Sequence, residues 1–257
     1  MSTVFVVVDL EATSREPADA HIVEWAAVRI EPEWFGTGRR MECHGGLVRP
    51  PIQIPPETSA IHQITDSDVA EAPHWHEEGF KLFDLLAPEG VIAVAHNAAY
   101  EKTLLERELP QLPGLRWLCT YKAALRVWPE APAHNNETLR YYLGYGTGRK
   151  CHQAPHSALH DAQVTTQILN DLLLHVKVSV EDMLKWTTEP AMLPRCPIGE
   201  WRGKPWAEVD EGFLLWILRK IYDREDVRFC AKAELDRREQ ERQEVARAPA
   251  ADGEVPF

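Results

Sequence analysis

The run Val4-Phe5-Val6-Val7-Val8 ends directly in Asp9-Leu10-Glu11-Ala12-Thr13. β-Branched residues at this density specify a buried strand. Successive side chains of a strand alternate between its faces, so Asp9 and Glu11 point the same way. Two carboxylates side by side at the end of a buried strand repel each other, and one is driven to bind a proton unless something positive lies between them. A divalent cation is the simplest such partner. Mg²⁺ and Mn²⁺ take carboxylate oxygens with water in the remaining positions, and two acids on one strand supply only part of that shell. More acids must therefore arrive from elsewhere in the chain.

At 257 residues the chain is long enough for one full core and a small second unit. No apolar run approaches the roughly 20 residues needed to span a bilayer. The first residues lack the basic lead of a signal peptide, so the expectation is a cytoplasmic protein without a membrane partner. Five cysteines, an odd number with no close pairing, fit a reducing compartment and a role as small core residues. The net charge of −12 argues against coating nucleic acid by bulk electrostatics, but it leaves room for local contacts. Between Arg116 and Lys150 the balance is +4, from six basic and two acidic residues. A solvated helical face and a phosphate-facing patch explain that stretch equally well.

Strands are predicted at Val4–Glu11, Ile22–Ile30 and Met41–Val48, joined as an antiparallel meander. A short helix is expected near Asp66–Ala70, and a longer one over Trp75–Leu86, stopped by Pro88 and Gly90. His62 is read as holding a loop. The buried strand Val91–Ala95 delivers His96-Asn97 to its end, with Asn97 placed to cap a helix over Ala98–Leu109. That puts Glu101 in the helix's first turn, where a carboxylate is favoured and can face the strand ends. Trp117–Cys119 reads as a short strand, and Tyr121–Val127 and Glu137–Leu143 as helices. Ser157 is placed as the N-cap of a helix whose apolar stripe runs from Val164 to Val176, and a charged helix is expected beyond Arg224. Asp161 then lies on its second turn and His156 in the loop before it.

Asp9, Glu11, Glu101 and Asp161 would be four acids brought together from a strand end and two helices. Four carboxylates suffice to hold two divalent ions about 4 Å apart, the arrangement that clamps both oxygens of a phosphodiester during in-line displacement. His156, on a loop, can accept a proton at neutral pH.

The set Val8-Asp9-Leu10-Glu11, His96-Asn97-Ala98-Ala99-Tyr100-Glu101 and His156-x4-Asp161 resembles the DEDDh family of 3′→5′ exonucleases. Ile61-His62-Gln63-Ile64-Thr65, Leu118-Cys119-Thr120-Tyr121-Lys122 and Gly199-Glu200-Trp201-Arg202-Gly203-Lys204 extend the resemblance, in the same order, to the bacterial exodeoxyribonuclease X group. The resemblance implies an α/β, ribonuclease-H-like fold, with a mixed five-stranded sheet flanked by helices and a small C-terminal module. It implies that Asp9, Glu11 and Asp161 hold one Mg²⁺ or Mn²⁺ ion, that Asp9 and Glu101 hold a second, and that His156 is the general base. Leu10, Ala12, Asn97 and Tyr100 would lie where the terminal nucleotide sits. Single-stranded DNA is the implied substrate, with duplex ends, or RNA in an exoribonuclease of the same fold, as alternatives. Position 101 carries Glu where the family has Asp, which keeps the charge and adds a methylene. A binding module weakened in catalysis by that change is the rival from a different class.

The expected organisation is an exonuclease domain at 1–178, a linker at 179–193, a small module at 194–244 and a disordered tail at 245–257. In the module, Trp201, Arg202, Lys204 and Trp206 mix aromatic and basic residues, suited either to gripping a strand or to filling a small core.

Overall fold

The computed structural model describes residues 3–31, 42–112, 114–145 and 157–247. Three antiparallel strands come first: β1 (Phe5–Ala12), β2 (Ile22–Ile30) and β3 (Glu42–Leu47). Two shorter strands, β4 (Ile92–Ala95) and β5 (Arg116–Cys119), add in parallel on the other side of β1. The result is a mixed five-stranded sheet in the order β3-β2-β1-β4-β5, as the fold class requires. The acid-bearing strand is thus central and buried from both sides.

Alternation along β1 decides which helix meets which residue. Val6, Val8, Leu10 and Ala12 pack in one apolar layer with Leu82 and Leu86 of α2 (Trp75–Leu86) and Leu104 and Leu105 of α3 (Ala99–Glu108). Phe5 and Val7 face the opposite layer, with Ala158, Ala162, Ile168 and Leu169 of α6 (Ala158–Asn170). Asp9 and Glu11 continue this second series, so their carboxylates point toward α6. Ala158 and Ala162 are fully buried, and their small side chains let the helix approach the sheet closely.

Two local expectations give way to side-chain hydrogen bonding and backbone geometry. Residues 66–70 form turns instead of a helix, because the Asp68 carboxylate accepts from both the amide and the hydroxyl of Thr65. The helix lies earlier, at α1 (Pro56–His62), started by a proline in its first turn. Asn97 does not cap α3 with its side chain; its backbone takes a left-handed φ of 82°, which asparagine tolerates, and Ala98 occupies the cap position. Helices α4 (Thr120–Val127) and α5 (Asn136–Tyr142) stand within a residue of expectation at their starts. The stretch 179–193 carries α7 (Val180–Thr188), whose Met183 is fully buried in the α6-side core, so this part of the expected linker is packed structure.

The chain divides into two compact units, residues 1–189 and 190–257. The second holds α8 (Glu211–Lys220) and α9 (Glu225–Arg247) around Cys196, Trp206, Val209, Leu214, Ile217, Val227 and Cys230. Among the described residues, no helix is long and apolar enough to cross a membrane.

Gly45 on β3 stands opposite Ala26 of β2, where an added Cβ would collide with the Trp25 carbonyl oxygen and lie 3.0 Å from the Ala26 Cα. Gly45→Ala should therefore cost about 1–3 kcal/mol in thermal unfolding. Gly46→Ala is the control, because the nearest atom to its Cβ is 3.8 Å away, and it should leave the melting temperature within a degree or so.

Candidate active site

At the carboxyl end of β1, ligand oxygens of Asp9, Glu11 and Asp161 lie within 4.8 Å of one another. Glu101, in the first turn of α3, is buried, and its Oε2 has no hydrogen-bond partner among the described residues. Burial is the largest effect on Asp9, and Asp161, Glu101, Glu11 and Glu24 add repulsion, so its pKa is held well above the usual carboxylate range. Burial, then Asp161, Glu24 and Glu101, pushes Glu11 up to about 8. Burial also raises Glu101 to about 8, against the opposing pull of its own backbone amide. Among the described residues, the charges bearing on Asp9 are all acidic, and a buried oxygen of Glu101 is left over. Such a donor set, with hard oxygens only and excess negative charge, fits divalent cations of the Mg²⁺ type.

Glu24 is an acid that the sequence reading did not single out. It pairs with Glu11 across the β1–β2 ladder, and its Oε2 accepts a 2.8 Å hydrogen bond from the Ala158 amide at the start of α6. Ser157 stands at the cap position but does not cap the helix with its side chain, so Glu24 takes over that work from the neighbouring strand. Burial raises the Glu24 pKa, the Ala158 amide opposes the shift, and Asp161 adds to it. Only the strand register reveals the residue. In sequence Glu24 reads, like Arg29, as a charged position in a mostly apolar strand.

On its far side α6 is fixed by a second polar set. His160 Nε2 lies 2.6 Å from Glu137 Oε1, while Asn136 donates to the Asp161 carbonyl and accepts from the Thr165 hydroxyl. Glu137, His160 and Asp161 also bring ligand atoms within 4.8 Å, but Glu137 is already paired with His160 and with Arg140 at 3.6 Å. This set reads as a brace between α5 and α6.

Leu10, Ala12, Asn97 and Tyr100 all line one pocket of about 400 Å³ beside Glu11, together with Ser14, Arg15, Thr58, Ile61 and His62. The Tyr100 hydroxyl donates to the Ser14 carbonyl at 2.5 Å, which fixes the ring at the wall. His62 Nδ1 accepts from the Ile64 amide, holding the loop, and burial lowers its pKa. His96 is likewise structural: its ring nitrogens meet the Thr120 hydroxyl and the His134 carbonyl, and burial drops its pKa to about 4. Part of the basic stretch between Arg116 and Lys150 is engaged internally. Lys122 donates to the Thr187 and Glu189 carbonyls, Arg126 pairs with Glu189, and Arg140 with Glu137. His156, expected as general base, lies outside the described residues.

A carboxylate cluster at the carboxyl end of the central strand of a mixed five-stranded sheet is an arrangement suited to holding divalent cations for phosphodiester hydrolysis. The comparisons with known proteins are specific. Residues 6–169 match the exonuclease family model RNase_T. Exodeoxyribonuclease 10 of Escherichia coli K12 is 33% identical over 208 residues, spanning 78% of this chain and 85% of that protein. The DNA polymerase III epsilon subunit of Aquifex aeolicus is 27% identical over 66% of this chain and 80% of its own. Exonuclease X, solved in complex with 5′ overhanging duplex DNA, superposes with a TM-score of 0.57 at 29% identity, over 71% of this chain and 99% of that one. The chain belongs to this exonuclease family and is a 3′→5′ exonuclease that depends on divalent metal.

Glu11 and Glu101 carry folded-state pKa values near 8 against ordinary values of 4.5, so between those limits the folded chain binds more protons than the unfolded one. Stability must then fall as pH rises through that window. With a chelator present, the melting temperature should drop by about 5–10 °C between pH 5 and pH 8, and Mn²⁺ should restore most of the loss at pH 8. Unchanged melting across that range would refute the crowding. For Glu24, kinetics of two variants separate hydrogen bonding from charge. Glu24→Gln keeps an acceptor for the Ala158 amide and should retain most activity, whereas Glu24→Ala should lose about tenfold through displaced Asp161. Equal losses would remove the helix-anchoring role.

Proposed function

We propose that this chain removes nucleotides from the 3′ ends of single-stranded DNA with Mg²⁺ or Mn²⁺, releasing nucleoside 5′-monophosphates. The observation that carries this reading is the convergence of Asp9, Glu11 and Asp161 within 4.8 Å, with buried Glu101 beside them. Asp9, Glu11 and Asp161 would hold one ion, and Asp9 with Glu101 a second. Bound there, the two ions would neutralise the phosphate and stabilise the attacking and departing oxygens during in-line displacement.

The protein's own groups do the rest. His156 removes the proton of the attacking water, a role that rests on its place in the His156-x4-Asp161 motif. The pocket formed by Leu10, Ala12, Asn97 and Tyr100 receives the terminal nucleoside against Glu11, with Tyr100 pre-positioned by its bond to Ser14. Glu101, one methylene longer than the family's aspartate, would hold its ion directly instead of through water. DNA as the preferred strand is supported by the name of the E. coli relative, an exodeoxyribonuclease, and by the duplex DNA in the exonuclease X complex.

The test is a time course on a 5′-labelled DNA and the matching RNA mixed in one tube. The DNA should shorten first, from its 3′ end. Asp9→Asn should reduce turnover by about a thousandfold or more, and His156→Ala should do the same and remove the rise in rate expected between about pH 6 and 8. RNA shortening first would assign the enzyme to ribonucleotide substrates. Full activity in either variant would overturn the mechanism.

A further inference from the structure

In the second unit, the structure relocates the aromatic and basic character that the sequence suggested for residues 201–206. Trp206 is 8% exposed and donates its indole N–H to the Leu193 carbonyl at 2.7 Å, so it is core. Trp201 packs on the same core, and Lys204 lies 3.9 Å from Glu208 in an ion pair. None of these is arranged as an open stacking platform.

The open face is on α8. Leu214 and Ile217 turn fully inward, which leaves Leu215, Trp216, Arg219 and Lys220 exposed on the other side. Trp216 is 44% exposed and stacks on Phe213, with ring centroids 5.3 Å apart and planes 20° apart. Tyr222, just beyond the helix, is 77% exposed yet held in place: its hydroxyl donates to the Arg219 carbonyl, and the Arg228 guanidinium lies 5.7 Å from its ring. Arg228 is itself fixed by the Leu218 and Ile221 carbonyls. A tyrosine presented to solvent in a fixed orientation is pre-organised for a flat partner.

The cations of this face differ from those in the middle of α9. Lys232, Arg237, Arg238 and Arg242 of α9 are all committed to ion pairs with acidic residues. Arg219 and Lys220 enter no ion pair among the described residues. Uncommitted cations beside exposed, oriented aromatic rings match a partner that carries negative charge along its length and flat π-faces between the charges. That is the chemistry of a single-stranded nucleic acid.

We infer that the α8 face, formed by Trp216, Tyr222, Arg219 and Lys220, is an auxiliary binding site for single-stranded nucleic acid outside the catalytic unit. The inference rests on the proposed activity on nucleic-acid ends. Its consequence is one of tethering. A strand long enough to engage both units is held at a raised effective concentration for the catalytic unit, whereas a short one gains nothing.

The experiment compares KM for oligothymidylates of roughly 4 and roughly 40 nucleotides in wild type, Trp216→Ala and the pair Arg219→Glu/Lys220→Glu. Each variant should raise KM on the long strand about fivefold or more relative to KM on the short one, and Trp216→Phe should recover much of the loss. Photo-crosslinking of a 5-iodouridine strand should map to Trp216 or Tyr222. The same KM ratio in variants and wild type would overturn the site. So would a wild-type dimer in sedimentation that Trp216→Ala dissolves, because the face would then belong to a second copy. A wild-type protein that degrades neither strand would instead refute the proposed activity itself.

Discussion

The burial of several carboxylates together at the end of one strand constrains the rest of this structure. At the end of β1 burial is the largest effect on Asp9, Glu11 and Glu101, and repulsion from neighbouring acids adds to it at Asp9 and Glu11. In a low-dielectric setting such an assembly opposes folding unless protons or cations neutralise it. The fold accepts this cost because it places the acids on elements that packing fixes independently. β1 is central in the sheet, α3 begins directly after β4, and α6 lies against the sheet through Ala158 and Ala162.

Each acid is thus aimed by apolar contacts it does not itself make. Alternation along β1 sends Val6, Val8 and Leu10 to one layer, which leaves Asp9 and Glu11 facing α6. The depth of Asp161 is set by small residues beneath α6, by Glu24 at its first amide, and by the Glu137–His160 brace on its far side. Three separate devices converge on one carboxylate. That redundancy is what pre-organisation of a hydrolytic centre demands, since small misplacements carry large kinetic costs.

Much of this was legible in the sequence. β2 and α2 fall where periodicity put them, and the acids of the cluster each sit in a short pattern that names the element carrying them. What was not legible depends on tertiary partners. Glu24 looks like any polar strand residue until register sets it beside Glu11 and Ala158. Asn97 carries the composition of a helix cap, yet its left-handed backbone makes it part of the pocket wall. Trp206 and Trp216 are ten residues apart in one small unit, and composition alone does not tell which one fills the core and which one faces water. The α1 helix was hidden by Pro55-Pro56, a pair that resembles a loop although its second proline begins the helix.

The central claim, that the acids at the end of β1 are crowded to receive divalent cations, is tested most directly by anomalous diffraction from crystals soaked in Mn²⁺. The account predicts strong anomalous density in contact with the Asp9 carboxylate, shared with Glu11 and Asp161, and with Glu101 contributing to a second ion. Density confined to the Glu137–His160 pair, or none near Asp9, would contradict it.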